Sequence, residues 1–396
     1  MNKKRLSLIL LISIVLFSGC TLEEPSQSNK EPQQEMTEES KTAIDIIPEN
    51  HDYPKIASWL SKKEELISSN KPFDLVMTGW VTAEEADKFK ENNPDVIILA
   101  GLSLNWVWDN EDWMTFIKTV SNYGKTDPIE ITEDMYLHKE NGERCAFGWA
   151  SEEWDHEEIY TMDPGNEKWV EFITSFYKNV LDQPQHDGII VDMVTNKNWW
   201  CQDAISDIDW VKSTSAIMQK IQDLNSEDKM VIFNAGKDLS DIDEFSQYMD
   251  GYLLENFLGE QLDASFEDGL EAANSDYIVI YGVDTDDTGI KDLKRMRLGL
   301  TLSLLNDNTY FTYDIGPRDH GQAWWFDEYD ARLGKPLGEY YKKDNAYWRE
   351  FEKGIVVSSP NSDTNINFDE EYTDISTNSK STFFIIDKGD GGVFIK

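Results

Sequence analysis

Eight short runs of β-branched and apolar residues, most of them followed by a helical pattern, constrain the fold of this chain more than any other feature. Each run is bounded by polar or glycine residues, which is typical of parallel strands joined by helical crossovers. Eight such units in about 290 residues predict an α/β fold, a TIM-like (β/α)8 barrel. An open doubly wound sheet is the alternative, but its usual glycine-rich phosphate loop is absent from the sequence. The predicted strands are residues 55–60, 73–78, 96–100, 188–194, 230–234, 251–256, 277–283 and 309–314.

Helical patterns fill most of the intervals between these strands. Residues 167–181 place Trp169, Phe172, Phe176 and Val180 on one face, a spacing that indicates core packing rather than a cofactor site. The predicted helices are residues 83–91, 167–181, 210–224, 239–248, 266–273 and 290–305.

We assign the barrel to residues 51–345, which include one long connection and one ordered loop, and a separate β segment follows it. The longest connection, residues 105–187, is rich in Trp, Tyr and carboxylates, and such insertions usually lie at the ligand-binding face of a barrel. Residues 317–337 are predicted to form an ordered loop. From 346 to 396 the pattern becomes short strands without helices, which predicts a small C-terminal β appendage with strands at 354–359, 365–368, 382–386 and 392–395.

The N-terminus predicts the compartment. Three basic residues within the first five precede apolar residues 6–17 and then Ser18-Gly19-Cys20. This pattern is similar to a lipoprotein signal peptide over residues 1–19, with Cys20 as the lipid-bearing residue, and an uncleaved anchor helix is the alternative. Residues 20–50 are too polar to form a core and are predicted to be a disordered tether. We therefore expect an extracytoplasmic protein, lipid-anchored to the outer face of the membrane.

The charge of the chain limits its partners. Asp and Glu number 76 against 36 Lys and Arg, a formal net charge of −40, which disfavours nucleic acid and any anionic surface. The acidic residues either form a solvated surface or line a cleft for a neutral or cationic ligand. A monomer is favoured.

Polar residues end several predicted strands, where a barrel places its active site. Asp192 ends the apolar run of the fourth strand, and Glu255 ends that of the sixth. Two carboxylates facing one cavity are the minimum requirement for glycoside hydrolysis. Further candidates for substrate binding follow the fifth, seventh and eighth strands: Asn234, Asp284, Asp286 and Asp314. A single such carboxylate often serves only as a helix cap.

Tryptophan residues accompany these strand ends. Flat aromatic rings pack against the faces of sugars, although packing beneath long loops is the alternative for each of them. The candidates for substrate binding are Trp106, Trp108, Trp199, Trp200 and Trp324.

Other chemistries find little support in the sequence. The five His residues show no HExxH or HxH spacing, and no G-x-S-x-G motif is present. The segment Asp284-Thr285-Asp286-Asp287 lacks the remaining ligands of a calcium loop. We expect no cofactor and no required metal.

The order of several short motifs resembles the hypothetical glycosyl hydrolase families with TIM-like barrels, related to endo-α-1,4-galactosaminidase-type barrels. The resemblance covers most of residues 54–396. Its motifs are MDPGN at 162–166, DGIIVD at 187–192, GYLLENF at 251–257, YDIG at 313–316 and WREFEKGIVV at 348–357.

The resemblance implies an extracytoplasmic glycoside hydrolase acting on a polysaccharide or glycan, with its acid pair on the fourth and sixth strands. In related barrels the fourth-strand carboxylate is commonly ionised, so Asp192 is expected to be the nucleophile or stabiliser and Glu255 the proton donor; the reverse assignment stays open. A carbohydrate-binding lipoprotein without turnover is the alternative function.

Cys145 and Cys201 are expected to lie on the same rim of the barrel, one in the long insertion and one after the fourth strand. We predict a disulfide between them that fixes the insertion over the site, and two unpaired thiols are the alternative.

Overall fold

A parallel eight-stranded sheet forms the centre of the computed structural model, which describes residues 52–146, 159–198, 201–226, 229–236, 242–255, 257–258, 262–316, 319–320 and 322–396. The strand order is β1-β2-β3-β6-β7-β8-β9-β10, and a parallel bridge between Ile56 and Phe311 joins the first strand to the last. The predicted (β/α)8 barrel is therefore confirmed. Its strands are β1 (Ala57–Trp59), β2 (Leu75–Thr78), β3 (Ile97–Ser103), β6 (Gly188–Asp192), β7 (Met230–Asn234), β8 (Gly251–Leu254), β9 (Ile278–Asp284) and β10 (Thr309–Asp314).

Side chains that alternate along these strands form two layers of core. Leu75 and Met77 point into the barrel, whereas Val76 between them packs against the outer helices. This alternation follows from the two-residue repeat of a strand. The inner layer is filled mainly by aliphatic residues, so the barrel is a packed core and not a pore. Its members are Ala57, Trp59, Leu75, Met77, Ile97, Leu99, Ile190, Met230, Ile232, Leu253, Ile278, Ile280 and Tyr310.

Seven α-helices among the described residues surround or flank the barrel. Their starts follow local sequence: Thr82 and Glu85 form a capping box at the second helix, and Asp292 caps the last helix through the backbone N–H groups of Lys294 and Arg295. Within the described ranges, no helix is long and apolar enough to cross a membrane. The helices are α1 (Lys63–Ser69), α2 (Ala83–Asn92), α3 (Glu111–Ser121), α4 (Glu167–Leu181), α5 (Asp207–Leu224), α6 (Leu262–Ala273) and α7 (Leu293–Ser303).

The long insertion carries a two-stranded antiparallel sheet and a disulfide. The hairpin pairs β4 (Trp106–Trp108) with β5 (Ile159–Thr161). Cys145 and Cys201 are bonded, with their Cα atoms 5.9 Å apart, so the predicted bridge is confirmed.

A six-stranded antiparallel sheet follows the barrel and packs against α7. The Cβ of any residue replacing Gly391 would lie 2.2 Å from Thr301 Oγ1, so only glycine permits this close approach of strand and helix. Arg297 on α7 forms an ion pair with Asp390, with 2.7 Å between Nη2 and Oδ2. The sheet contains β11 (Tyr341–Lys343), β12 (Ala346–Phe351), β13 (Gly354–Ser359), β14 (Thr364–Asp374), β15 (Ser379–Ile386) and β16 (Asp390–Ile395).

Some predicted elements differ from the structure for local reasons. The strand predicted at 188–194 ends at Asp192, because Met193 has a left-handed φ of 54° that turns the chain. The helix predicted at 239–248 is a 3-10 helix, Asp243–Tyr248, in the part of the chain that is described. The sequence prediction omitted α1, α3, the β4–β5 hairpin and the first two strands of the C-terminal sheet, β11 and β12. The signal peptide, the tether and Cys20 lie outside the described residues.

Candidate active site

Three adjacent barrel strands bring polar residues together at their carboxyl ends. Asp192 ends β6, Asn234 ends β7, and Glu255 directly follows β8. Because these parallel strands are neighbours in the sheet, their last residues lie side by side over the barrel mouth. The left-handed turn at Met193 leaves its backbone N–H 2.8 Å from Asp192 Oδ1, which holds that carboxylate in place.

The side-chain amide of Asn234 links the two carboxylates. Its Nδ2 donates to Asp192 Oδ1 at 2.8 Å and to Glu255 Oε2 at 2.9 Å. Its Oδ1 accepts from the backbone N–H of Gly236 at 2.9 Å, which fixes the orientation of the amide. Since the two hydrogens of an amide diverge by about 120°, the two carboxylate oxygens are separated by about 5 Å. The structure therefore brings together Asp192, Asn234 and Glu255, as the sequence predicted.

Glu255 receives three hydrogen bonds from three different parts of the chain. Besides Asn234, Trp59 Nε1 donates to Glu255 Oε1 at 2.9 Å, and His320 Nε2 lies 2.7 Å from the same oxygen. Trp59 reaches the site because it ends β1 and the chain turns at once at Leu60, where φ is 48°. No oxygen of Glu255 is left without a donor.

Like Trp59, His320 is a candidate site residue that the sequence analysis missed. Its Nδ1 lies 2.8 Å from Asp314 Oδ2, so the imidazole stands between Asp314 and Glu255. Only 8% of the side chain is exposed. His320 has no motif spacing in the sequence, and the available signal was its position in the predicted loop that follows the eighth strand.

The surroundings push the pKa values of the two carboxyl groups apart. Burial raises the pKa of Asp192, the negative charge of Glu255 raises it further, and together they bring it to about 6. Burial opposes ionisation of Glu255 as well, but the charge of His320 and the hydrogen bonds from His320, Asn234 and Trp59 outweigh it. The net effect holds the pKa of Glu255 well below its usual range.

The other predicted polar residues lie beside this group. Asp314 is buried against His320, and Asp284 stands opposite Asp314 in the register of β9 and β10. Asp284 Oδ1 accepts the backbone N–H of Asp286 at 2.8 Å and lies 3.5 Å from Arg295 Nη2. Burial raises the pKa of Asp284 to about 6. Asp286 is 70% exposed and pairs with Arg295, so it faces away from the buried carboxylates.

The predicted tryptophans have different surroundings. Trp106 is buried, with its ring centroid 5.4 Å from that of Trp210, and it packs in the core instead of offering a ring face to a sugar. Trp108 is partly exposed and packs edge-on against Trp113 at 4.7 Å. Trp324 is partly exposed, with Lys291 Nζ 4.4 Å from its ring centroid. Trp199 and Trp200 lie outside the described residues.

Two carboxyl groups can hydrolyse a glycosidic bond without a metal ion. Among the described side chains, no group of three or more His, Cys, Asp and Glu residues is arranged to hold a metal ion. The arrangement places two carboxyl groups of different pKa on either side of a fixed amide.

Residues 90–355 match the sequence profile of hypothetical glycosyl hydrolase family 15, which is more than half of the chain. The chain belongs to this family. It is therefore a glycoside hydrolase by family, and a carbohydrate is its expected class of substrate. No curated protein matches this glycosyl hydrolase. Its relation to endo-α-galactosaminidase-type barrels stays a prediction.

Several solved structures are similar to this glycosyl hydrolase at low identity. An α-L-fucosidase isoenzyme from Paenibacillus thiaminolyticus has a TM-score of 0.46 and 12% identity over 69% of this chain and 47% of its own, so the glycosyl hydrolase spans about half the length of that protein. An α-amylase from Malbranchea cinnamomea has a TM-score of 0.48 and 11% identity over 90% of this chain and 97% of its own. An α-galactosidase from Geobacillus stearothermophilus has a TM-score of 0.47 and 10% identity over 87% of this chain and 56% of its own.

Proposed function

We propose that this glycosyl hydrolase cleaves glycosidic bonds in a polysaccharide or glycan with retention of configuration, using Glu255 as the nucleophile and Asp192 as the acid and base. The observation that carries the proposal is the single amide nitrogen of Asn234 lying 2.8 Å from Asp192 and 2.9 Å from Glu255. This shared amide places the facing oxygens of the two carboxyl groups about 5 Å apart, a spacing that suits direct attack on the sugar, whereas inverting enzymes need roughly 6.5 to 9.5 Å to admit a water.

The reaction has two steps. The carboxylate of Glu255 attacks the anomeric carbon while the glycosidic C–O bond breaks, and Asp192 gives its proton to the leaving oxygen. The leaving alcohol departs, and a glycosyl ester with Glu255 remains. Asp192, now ionised, takes a proton from water, which attacks the anomeric carbon and breaks the ester bond to Glu255. Asp192 regains its proton and Glu255 its charge.

The division of roles follows from the electrostatics and reverses the one expected from the sequence. A nucleophile must be ionised, and Glu255 accepts three hydrogen bonds, one of them from His320. An acid must hold its proton, and Asp192 is the carboxyl group whose pKa is raised. Among the described residues, Asp192 Oδ2 has no hydrogen-bond partner, which leaves it available to a leaving oxygen.

We further propose that the enzyme acts outside the cell while anchored by lipid at Cys20, on the strength of the basic, apolar and Ser-Gly-Cys pattern of residues 1–20. Its net charge of −40 favours neutral or cationic glycans over anionic ones.

The test is a screen of the full chain, purified in detergent, against a panel of polysaccharides, with binding and reducing-end release both measured. Proton NMR early in the reaction identifies the anomer first released. We expect release with retained configuration. Inversion would contradict the proposed nucleophile, and binding without release from any glycan would favour a carbohydrate-binding protein without turnover.

A further inference from the structure

His320 makes two contacts that a neutral imidazole cannot make with two ionised carboxylates. Its Nε2 lies 2.7 Å from Glu255 Oε1 and its Nδ1 lies 2.8 Å from Asp314 Oδ2. A neutral ring has one N–H group, and an ionised carboxylate only accepts hydrogen bonds. Both contacts are hydrogen bonds only if both ring nitrogens carry a proton or one carboxyl group does.

The surroundings decide between these two possibilities. Glu255 already accepts a hydrogen bond from Trp59 on Oε1 and another from Asn234 on Oε2, and both bonds stabilise its ionised form. Asp314 ends β10 and is buried, where an ionised carboxylate requires a partner of opposite charge. Three acidic groups act on this network, Asp192 on Glu255 and both Asp284 and Asp287 on Asp314. A cation between Glu255 and Asp314 offsets this negative charge.

We infer that His320 is a positioning residue, held as an imidazolium between Asp314 and Glu255, and that its fixed charge keeps Glu255 ionised and thereby decides which of the two carboxylates attacks the sugar. The catalytic meaning of this inference rests on the proposed function, whereas the charge state of the ring does not. In this arrangement Asp314 orients the ring through Nδ1, and the ring delivers one N–H to Glu255 through Nε2.

The inference explains why two carboxylates a few ångströms apart do not exchange roles. Without a cation beside Glu255, the two groups would compete for one proton, as closely spaced carboxyl groups do. The charge of His320 supports the ionised state of Glu255. Burial lowers the pKa of His320, but the hydrogen bonds and charges of Asp314 and Glu255 outweigh burial and raise that pKa well above its usual value.

The experiment detects by NMR whether each ring nitrogen of His320 carries a proton, and it needs no substrate. The full chain, labelled with ¹⁵N-histidine and purified in detergent, is studied at about pH 8, where a free histidine with a pKa of about 6.5 is neutral. His320→Gln identifies the resonances by their loss. We expect both ring nitrogens of His320 to be protonated, and a ring with one unprotonated nitrogen would overturn the inference.

A second measurement tests the effect on Glu255. With ¹³C-labelled glutamate, the pKa of Glu255 is measured in the wild type and in His320→Gln, and Glu255→Gln assigns the signal. We expect the pKa of Glu255 to rise in His320→Gln. The matched control is His138→Gln, since His138 also contacts a carboxylate, Glu133, at 2.9 Å, but in the insertion. A Glu255 pKa that His320→Gln leaves unchanged would overturn the inference.

Should His320→Gln fail to fold, Asp314→Asn provides the same test, because it keeps the acceptor for Nδ1 and removes one negative charge. We expect it to lower the pKa of His320 and to leave Glu255 in contact with the ring.

On a glycan that the wild type cleaves, we expect His320→Gln to lower kcat at least tenfold with little change in KM. We also expect this variant to move the acidic limb of the pH profile of kcat/KM to higher pH. A doubly protonated His320 in a protein that releases no sugar would refute the proposed function alone.

Discussion

Oε1 of Glu255 lies 2.7 Å from Nε2 of His320, which connects the end of the sixth barrel strand to the loop that follows the eighth. The contact crosses the barrel mouth, so the charge of one carboxylate depends on a loop far away in sequence. Because the hydrogen bonds of Glu255 come from β1, β7 and this loop, closure of the barrel is what assembles the site.

Removal of either carboxyl group is expected to abolish most turnover. Asp192→Asn removes the proposed proton donor and Glu255→Gln removes the proposed nucleophile, and each should lower kcat by a factor on the order of a hundred or more. The measurement is steady-state release of reducing ends on a glycan found by the screen. The control is Glu171→Gln, a 68% exposed carboxylate on α4 that should keep wild-type turnover. Near wild-type rates in both active-site variants would show that other residues form the catalytic pair.

Activity is expected to be greatest at acidic pH. The acid Asp192 must hold its proton, and its pKa is raised to about 6, so kcat/KM should fall as the pH rises through about 6. At low pH, activity should fall because Glu255 becomes protonated. Since the pKa of Glu255 is held below its usual range, this fall should occur at a pH well below the one assigned to Asp192. A pH profile of kcat/KM checks both limbs. Activity that instead rises through about pH 6 would require Asp192 to act ionised.

The two carboxyl variants are expected to differ in stability. Asp192 has a raised pKa in the folded protein, so the stability it contributes is present at low pH and is lost as the pH rises through about 6. Asp192→Asn should therefore be as stable as the wild type or more so at pH 8.

Glu255→Gln places an amide among three donors and removes a partner of His320, which should cost about 1 to 3 kcal/mol. Urea unfolding of both variants and of Glu171→Gln at pH 8 makes the comparison. The expectation fails if Glu255→Gln proves the more stable of the two.

Trp59 is expected to support Glu255 through a single hydrogen bond. Trp59→Phe keeps an aromatic ring but removes the donor to Glu255 Oε1, which should cost about 1 kcal/mol and lower turnover several-fold. The matched control is Trp348→Phe, which removes the hydrogen bond from an indole to the carbonyl oxygen of Lys343 in the C-terminal sheet. Equal turnover in the two variants would show that the bond to Glu255 contributes nothing.

Loss of the disulfide is expected to destabilise the fold and loosen the insertion. Cys145 and Cys201 are separated by 56 residues, for which chain entropy suggests roughly 4 kcal/mol. Both residues are buried with Leu137, so the double serine variant also loses some packing. Urea unfolding with and without reductant should show a reductant-sensitive midpoint in the wild type and in Cys20→Ser, and none in the double variant. A urea midpoint of the wild type that reductant does not change would contradict the expectation.

The order of strands and helices was determined by the sequence itself, because hydrophobic periodicity is a local property. Residues 230–234 and 309–314 were predicted with the bounds that the structure has. Parallel strands of one barrel end at one face, so Asp192, Asn234 and Glu255 could be expected to meet once the eight strands were recognised. The disulfide followed from the same reasoning about a shared rim.

Tertiary structure alone decided which of the two carboxyl groups has the higher pKa. A pKa depends on burial and on charges a few ångströms away, and separation along the chain carries no information about those distances. Trp59 and His320 reach Glu255 from opposite ends of the barrel sequence, and Trp106, which looked suited to bind sugar, is buried against Trp210. The chain thus encodes two carboxylates at strand ends, while the closed barrel gives them unequal surroundings and so different chemistry.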